Sequence, residues 1–144
     1  MKQIILLFSS LLLAVGVACA DNHRPITVEQ LPATAQEFLR EYFPSAKVVA
    51  AHEDGNVMRR EWDVILDDDT HIEFAADGQW KDVERREALP RGIVPPSIVT
   101  YVAKHYPSLA IYRIERSRRE WEVTLSNGVV ITFNRRFSVI SIDD

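Results

Sequence analysis

The eight residues Arg59-Arg60-Glu61-Trp62-Asp63-Val64-Ile65-Leu66 return as Arg118-Arg119-Glu120-Trp121-Glu122-Val123-Thr124-Leu125, six of the eight identical at an offset of 59. The same offset carries Thr70-His71-Ile72-Glu73-Phe74 onto Val129-Val130-Ile131-Thr132-Phe133. Upstream, Pro32, Pro44 and Ser45 answer Pro95, Pro107 and Ser108 at 63, and downstream Trp80 and Val83 align with Phe137 and Ile140 at 57. A unit written twice decides the architecture before any local propensity does. Each copy has only about 50 residues, close to the floor for an independent core, so the two are expected to share one.

Each unit opens with an amphipathic helix. Pro32 sits near the first helix start, where a missing N–H costs nothing, and Ala35, Phe38, Leu39 and Tyr42 follow at helical spacing before Pro44 ends the run. The second unit repeats this from Pro95 or Pro96 through Ile98, Tyr101, Val102 and His105 to Pro107, with His105 at the Tyr42 position and expected beneath the helix. A short strand follows each helix, Lys47 to Glu53 and Ala110 to Arg116. Next comes a strand of strict alternation, with Trp62, Val64 and Leu66, or Trp121, Val123 and Leu125, on one face. Ile72 and Phe74, or Val129, Ile131 and Phe133, mark a third strand, and Gln79–Glu84 and Phe137–Ile142 a fourth. Asn127-Gly128, Asp54-Gly55 and Asp77-Gly78 are hairpin signals. Hairpin connections imply antiparallel pairing, so the expected fold class is α+β. It is a tandem α-β-β-β-β repeat with about eight antiparallel strands and two helices packed on one face. Repeat one spans about residues 27–84, residues 85–93 form an intra-domain crossover, and repeat two spans about 94–142. The three tryptophans keep the inward register of their strands and are assigned to the core.

Residues 1–20 have the form of a secretory signal peptide: Lys2, an apolar run from Ile4 to Val17, then Ala18-Cys19-Ala20 before Asp21. Cleavage after Ala20 competes with lipidation of Cys19, and the small residues at the cut favour cleavage. The expectation is a periplasmic or secreted single domain, residues 21–144, without cysteine and held by its apolar core alone. No other apolar run approaches the ~20 residues that span a bilayer. The formal charge of −4 becomes −5 without Lys2, which argues against nucleic acid and anionic membrane surfaces as partners.

The run Leu31-Pro32…Phe38-Leu39…Tyr42-Phe43-Pro44-Ser45-Ala46-Lys47-Val48, then Glu61 to Leu66, Ile72-Glu73-Phe74 and Gly78-Gln79-Trp80, resembles the PepSY-like, β-lactamase-inhibitor-like family of exported bacterial proteins. The second repeat carries the signature from Pro95 to Ile140. The resemblance implies the tandem α-β4 fold of β-lactamase inhibitor proteins, no established catalytic activity, and association with protease inhibition or envelope regulation. Two positions depart from the family pattern. Asp69 stands where a turn glycine is usual, and Arg135-Arg136 stands in place of a glycine-containing hairpin.

Sheet alternation places Glu61, Asp63, Ile65, His71, Glu73, Glu120, Glu122, Thr124, Val130 and Thr132 on the face away from the helices. This face is expected to be acidic and free of aromatic residues. β-Lactamase inhibitor proteins bind through an aromatic-rich sheet surface, so its composition points away from that particular activity. A solvated sheet face would also be charged, so the ten residues are a candidate binding surface on position alone. Asp67-Asp68-Asp69 lacks the spacing of a calcium loop and reads as a charged turn. The four histidines show no metal-ligand spacing, and neither a nucleophile elbow nor a mature cysteine is present. Arg59-Arg60 and Arg118-Arg119 could grip a phosphate or carboxylate, or simply protect strand edges. The sequence thus leads to a non-enzymatic, monomeric binding or inhibitory module without cofactor or metal. Its partner would be a protein or peptide of the cell envelope, with a small-ligand or cation-binding envelope protein as the alternative.

Overall fold

The computed structural model describes residues 23–56 and 58–144. Residues 1–20, expected to be a signal peptide, lie outside them, and with them the alternative lipidation site Cys19. One open sheet runs through both repeats, its nine strands in chain order and every neighbouring pair antiparallel. Ahead of repeat one lies β1 (Arg24–Pro25), and repeat one supplies α1 (Ala33–Tyr42), β2 (Val48–Asn56), β3 (Arg59–Leu66), β4 (His71–Phe74) and β5 (Trp80–Glu84). Repeat two supplies α2 (Pro96–His105), β6 (Ile111–Arg116), β7 (Glu120–Leu125), β8 (Val130–Asn134) and β9 (Val139–Asp143). The extra strand, β1, pairs Arg24 with Glu53 and Pro25 with His52 at the sheet edge. Two residues carry no alternation to read, and a proline is tolerated there because an edge strand needs fewer donors. Among the described residues no helix is long and apolar enough to cross a membrane.

Both helices cover the same face. Ala35, Phe38 and Leu39 of α1 and Ile98 and Val102 of α2 are buried against Val64, Ile72, Phe74, Val83, Ile114, Val123, Ile131 and Phe133. The repeats make equivalent aromatic contacts: Phe38 meets Phe74 edge-on at 5.7 Å, and Tyr101 meets Phe133 edge-on at 5.4 Å. Trp62, Trp80 and Trp121 are core residues as expected. His105 is not. It is exposed at the end of α2, its ring 4.3 Å from Tyr101. A polar ring on the last turn keeps its hydrogen bonds to water there, which burial without a partner would remove.

The register corrects the downstream alignment. Trp80 pairs with Phe74 and Val139 with Phe133, so Trp80 answers Val139 and Val83 answers Ile142, at the offset of 59 that holds upstream. Phe137 therefore corresponds to Gly78, and both adopt left-handed backbone, at φ 62° and 79°. Asp69 likewise matches Gly128, at 63° and 91°. Each hairpin thus keeps its geometry where the glycine is missing, and a non-glycine side chain bears the strain. The bulges repeat too. Lys81 and Ile140 are the extra residues opposite β4 and β8, and Val49 and Tyr112 are those in β2 and β6.

Candidate binding face

In β3 the buried positions are Trp62, Val64 and Leu66, so Glu61, Asp63 and Ile65 project to the other side. The same alternation in β4, β7 and β8 sends His71, Glu73, Glu120, Glu122, Thr124, Val130 and Thr132 there. All ten expected residues therefore share the face opposite the helices. Cross-strand register brings eight of them into direct pairs: Asp63 with Glu73, Ile65 with His71, Glu122 with Thr132, and Thr124 with Val130. Glu61 and Glu120 lie further out toward one end of the sheet, opposite Asp54 and Asn134.

The face is not simply acidic, and this corrects the sequence reading. His71 Nε2 lies 3.4 Å from Asp63 Oδ1. Lys81 Nζ lies between Glu61 Oε1 at 2.9 Å and Glu73 Oε2 at 3.6 Å. Arg113 donates through Nε to both carboxylate oxygens of Asp82 at 3.1 Å, and through Nη2 to Asp82 and to Glu115 Oε2. At the β1 edge His23 stacks on His52 with ring centroids 4.1 Å apart, and its Nδ1 is 2.6 Å from Asp54 Oδ1. Cations and carboxylates interleave across adjacent strands, a pattern that stabilises a sheet through cross-strand pairs.

The neighbours shift the charges. The hydrogen bond with Asp63 raises the His71 pKa, partial burial working against it. The same bond lowers Asp63, again against burial, with help from Asp54. Glu73 is pushed up by burial first and by the Asp63 charge second. Asp63, His71 and Glu73 hold their ligating atoms within 4.8 Å of one another, a constellation with room for one cation. The strand order creates this cluster; the chain spacing of these residues did not announce it.

Reading the sequence missed Lys81, Asp82, Arg113, Glu115, His23, His52 and Asp54 on this face. Arg113 and Glu115 flank the inward Ile114, so alternation in β6 could have found them. Asp82 could not be found that way, because the bulge at Lys81 breaks the alternation of β5. The Asp67-Asp68-Asp69 run behaves as a turn. Asp67 Oδ1 accepts from the Lys47 N–H at 3.1 Å, Asp68 Oδ1 accepts from the Thr70 N–H at 3.0 Å, and Asp69 takes the left-handed position.

Residues 60–141 match the family model described as "Putative beta-lactamase-inhibitor-like, PepSY-like". The chain belongs to this PepSY-like family. Solved structures agree. A "putative periplasmic protein" of the DUF2874 family from Bacteroides vulgatus is 40% identical with a TM-score of 0.83, over 87% of this chain and 99% of that one. A "putative calcium-regulated periplasmic protein" from Bacteroides thetaiotaomicron is 32% identical with a TM-score of 0.82, over 85% and 98%. A third, from Bacteroides vulgatus and described as of unknown function, is 26% identical with a TM-score of 0.80, over 85% and 99%. The comparison with curated proteins finds no match. PepSY-like membership thus carries the fold of β-lactamase inhibitor proteins and a periplasmic setting among the relatives, without an assigned partner.

Proposed function

We propose that the protein is an exported, non-catalytic binding or inhibitory module that engages a protein or peptide of the cell envelope through its open sheet face. The observation that carries this reading is the division of labour between the two faces. Helices, connector and aromatic residues are spent on one side. The other presents half-buried charges of both signs on rigid strands, with Ile65 38% exposed among them. Fixed charges of alternating sign give orientation and partner choice more than raw affinity. The relatives described as periplasmic support export, and the signal-like residues 1–20 agree with it. The test is cross-linked capture from an envelope extract with residues 21–144, comparing native protein with a Glu61→Lys, Glu120→Lys, Glu122→Lys variant. A partner enriched by the native chain and lost from the variant supports the reading; equal enrichment by both contradicts it.

A second reading, cation binding, is favoured by the Asp63, His71 and Glu73 triangle. One relative is described as calcium-regulated, yet this donor set is poor for calcium, which takes six to eight oxygens. An imidazole with two carboxylates suits zinc or a similar ion better. Lys81, 3.6 Å from Glu73, would have to swing away. A melting-temperature rise with zinc but not calcium, abolished by His71→Ala, would establish this second use of the face.

A further inference from the structure

Three hairpins at one end of the sheet, β4–β5, β6–β7 and β8–β9, surround a groove of about 870 Å³. Its lining joins apolar Ala75, Ala76 and Trp80 with Arg116, Arg118 and Arg135, and it also includes three carboxylates: Glu61, held by Lys81, Glu115, held by Arg113, and Asp77. Two of these arginines are held in the same way. Arg116 lies over the Trp80 ring at 4.0 Å, with Nε donating to the Trp80 carbonyl at 2.6 Å. Arg135 lies over the Trp121 ring at 4.8 Å, with Nη1 donating to the Ser117 carbonyl at 3.3 Å. The two indoles are themselves 6.2 Å apart.

Indole faces and backbone carbonyls fix a guanidinium without neutralising it. Arg113, only three residues before Arg116, shows the alternative, with two carboxylates on it. Among the described residues no ion pair involves Arg116, Arg118 or Arg135. Burial depresses the Arg116 pKa, and the like charge of Arg135 adds to this while Asp77 opposes it. An acidic protein has therefore gathered unpaired, oriented guanidinium groups at one place. Their remaining N–H groups form the flat fork that matches carboxylate and phosphate oxygens.

We propose that this groove binds a small organic oxyanion, its carboxylate or phosphate head on Arg116, Arg118 and Arg135 and its apolar body against Ala75, Ala76 and Trp80. The site goes beyond the sheet-face reading and does not depend on it. It also gives work to Arg118, the one member of the twinned pairs that lines the groove.

The test titrates the full chain with benzoate, phenyl phosphate and inorganic phosphate, following tryptophan fluorescence and melting temperature. Saturable binding is expected, with phenyl phosphate above inorganic phosphate because only the former reaches the apolar wall. Preference for benzoate or for phenyl phosphate assigns the natural head group, and either supports the site. Arg116→Gln and Arg135→Gln should each weaken binding on the order of tenfold, and Arg136→Gln, outside the groove, should leave it unchanged. If Arg116→Gln fails to fold because Trp80 loses its anchor, Arg118→Gln and Arg135→Gln, both exposed, decide the matter. The absence of a saturable response to all three probes overturns the proposal. So does equal weakening by Arg136→Gln, which would reduce the effect to diffuse charge.

Discussion

Arg113 and Asp82 tie the two repeats together: Arg113 Nε is 3.1 Å from both Asp82 oxygens across β5 and β6, the strand pair that joins one repeat to the other. The Asp82 side chain is only 12% exposed, and the pairing raises the Arg113 pKa, partial burial opposing. Asp82→Ala removes the acceptor and should cost ~2 kcal/mol, the range for hydrogen bonds to charged groups. Arg113→Ala should cost more, ~3 kcal/mol, because it leaves a carboxylate buried and unpaired. Denaturant melts of the two variants check both the size and the order.

The His71–Asp63 pair predicts a pH dependence with a definite sign. The folded state raises His71 above its ordinary 6.5, so its contribution is complete below that pH and disappears as pH rises through the elevated value. Asp63 is lowered from 3.8, so its contribution is present above that pH and disappears as pH falls through the lowered value. The melting temperature of the native chain should fall as pH rises above 6.5, and that of His71→Gln should be flatter there. A ring titration of His71 followed by NMR supplies the independent check.

The two non-glycine residues at left-handed positions among the described residues, Asp69 and Phe137, should respond in opposite ways to glycine. Asp69 is exposed, and its closest cation, Arg86, is 3.9 Å away in solvent, so Asp69→Gly relieves strain and should stabilise by ~0.5 kcal/mol. Phe137 stands at φ 62° but packs beside Trp121, ring centroids 6.0 Å apart. Phe137→Gly should therefore destabilise by ~1 kcal/mol, lost packing exceeding the relief of strain. Thermal melts of the two single variants suffice.

One shared core implies one transition. Phe74 and Phe133 occupy equivalent, fully buried positions in the two repeats. Phe74→Ala and Phe133→Ala should each cost ~3–5 kcal/mol and lower the melting of the whole chain. Probes placed in separate repeats should report coincident transitions in both variants.

Much of this fold could be read directly. Alternation in Trp62-Val64-Leu66 and Trp121-Val123-Leu125 states which face is buried, and the repeat doubles every such signal. The ten face residues followed from the same alternation. What escaped were consequences of bulges and edges. Lys81 and Asp82 are displaced by a bulge that no residue type announces, and β1 is too short to show a period. Trp80 and Trp121 were rightly placed in the core, yet their role in holding Arg116 and Arg135 depends on three hairpins meeting in space. Charge pairing across the face was hidden for the same reason: spacing along the chain says nothing about which strand lies alongside.

The most direct measurement of the central claim places a photo-reactive residue at Thr124, on the open face, or at Glu37, on the exposed side of α1, and cross-links in cells of the producing organism. The sheet-face account predicts a discrete adduct from Thr124 and none from Glu37. Adducts from Glu37 in equal yield, or from neither position, would contradict it.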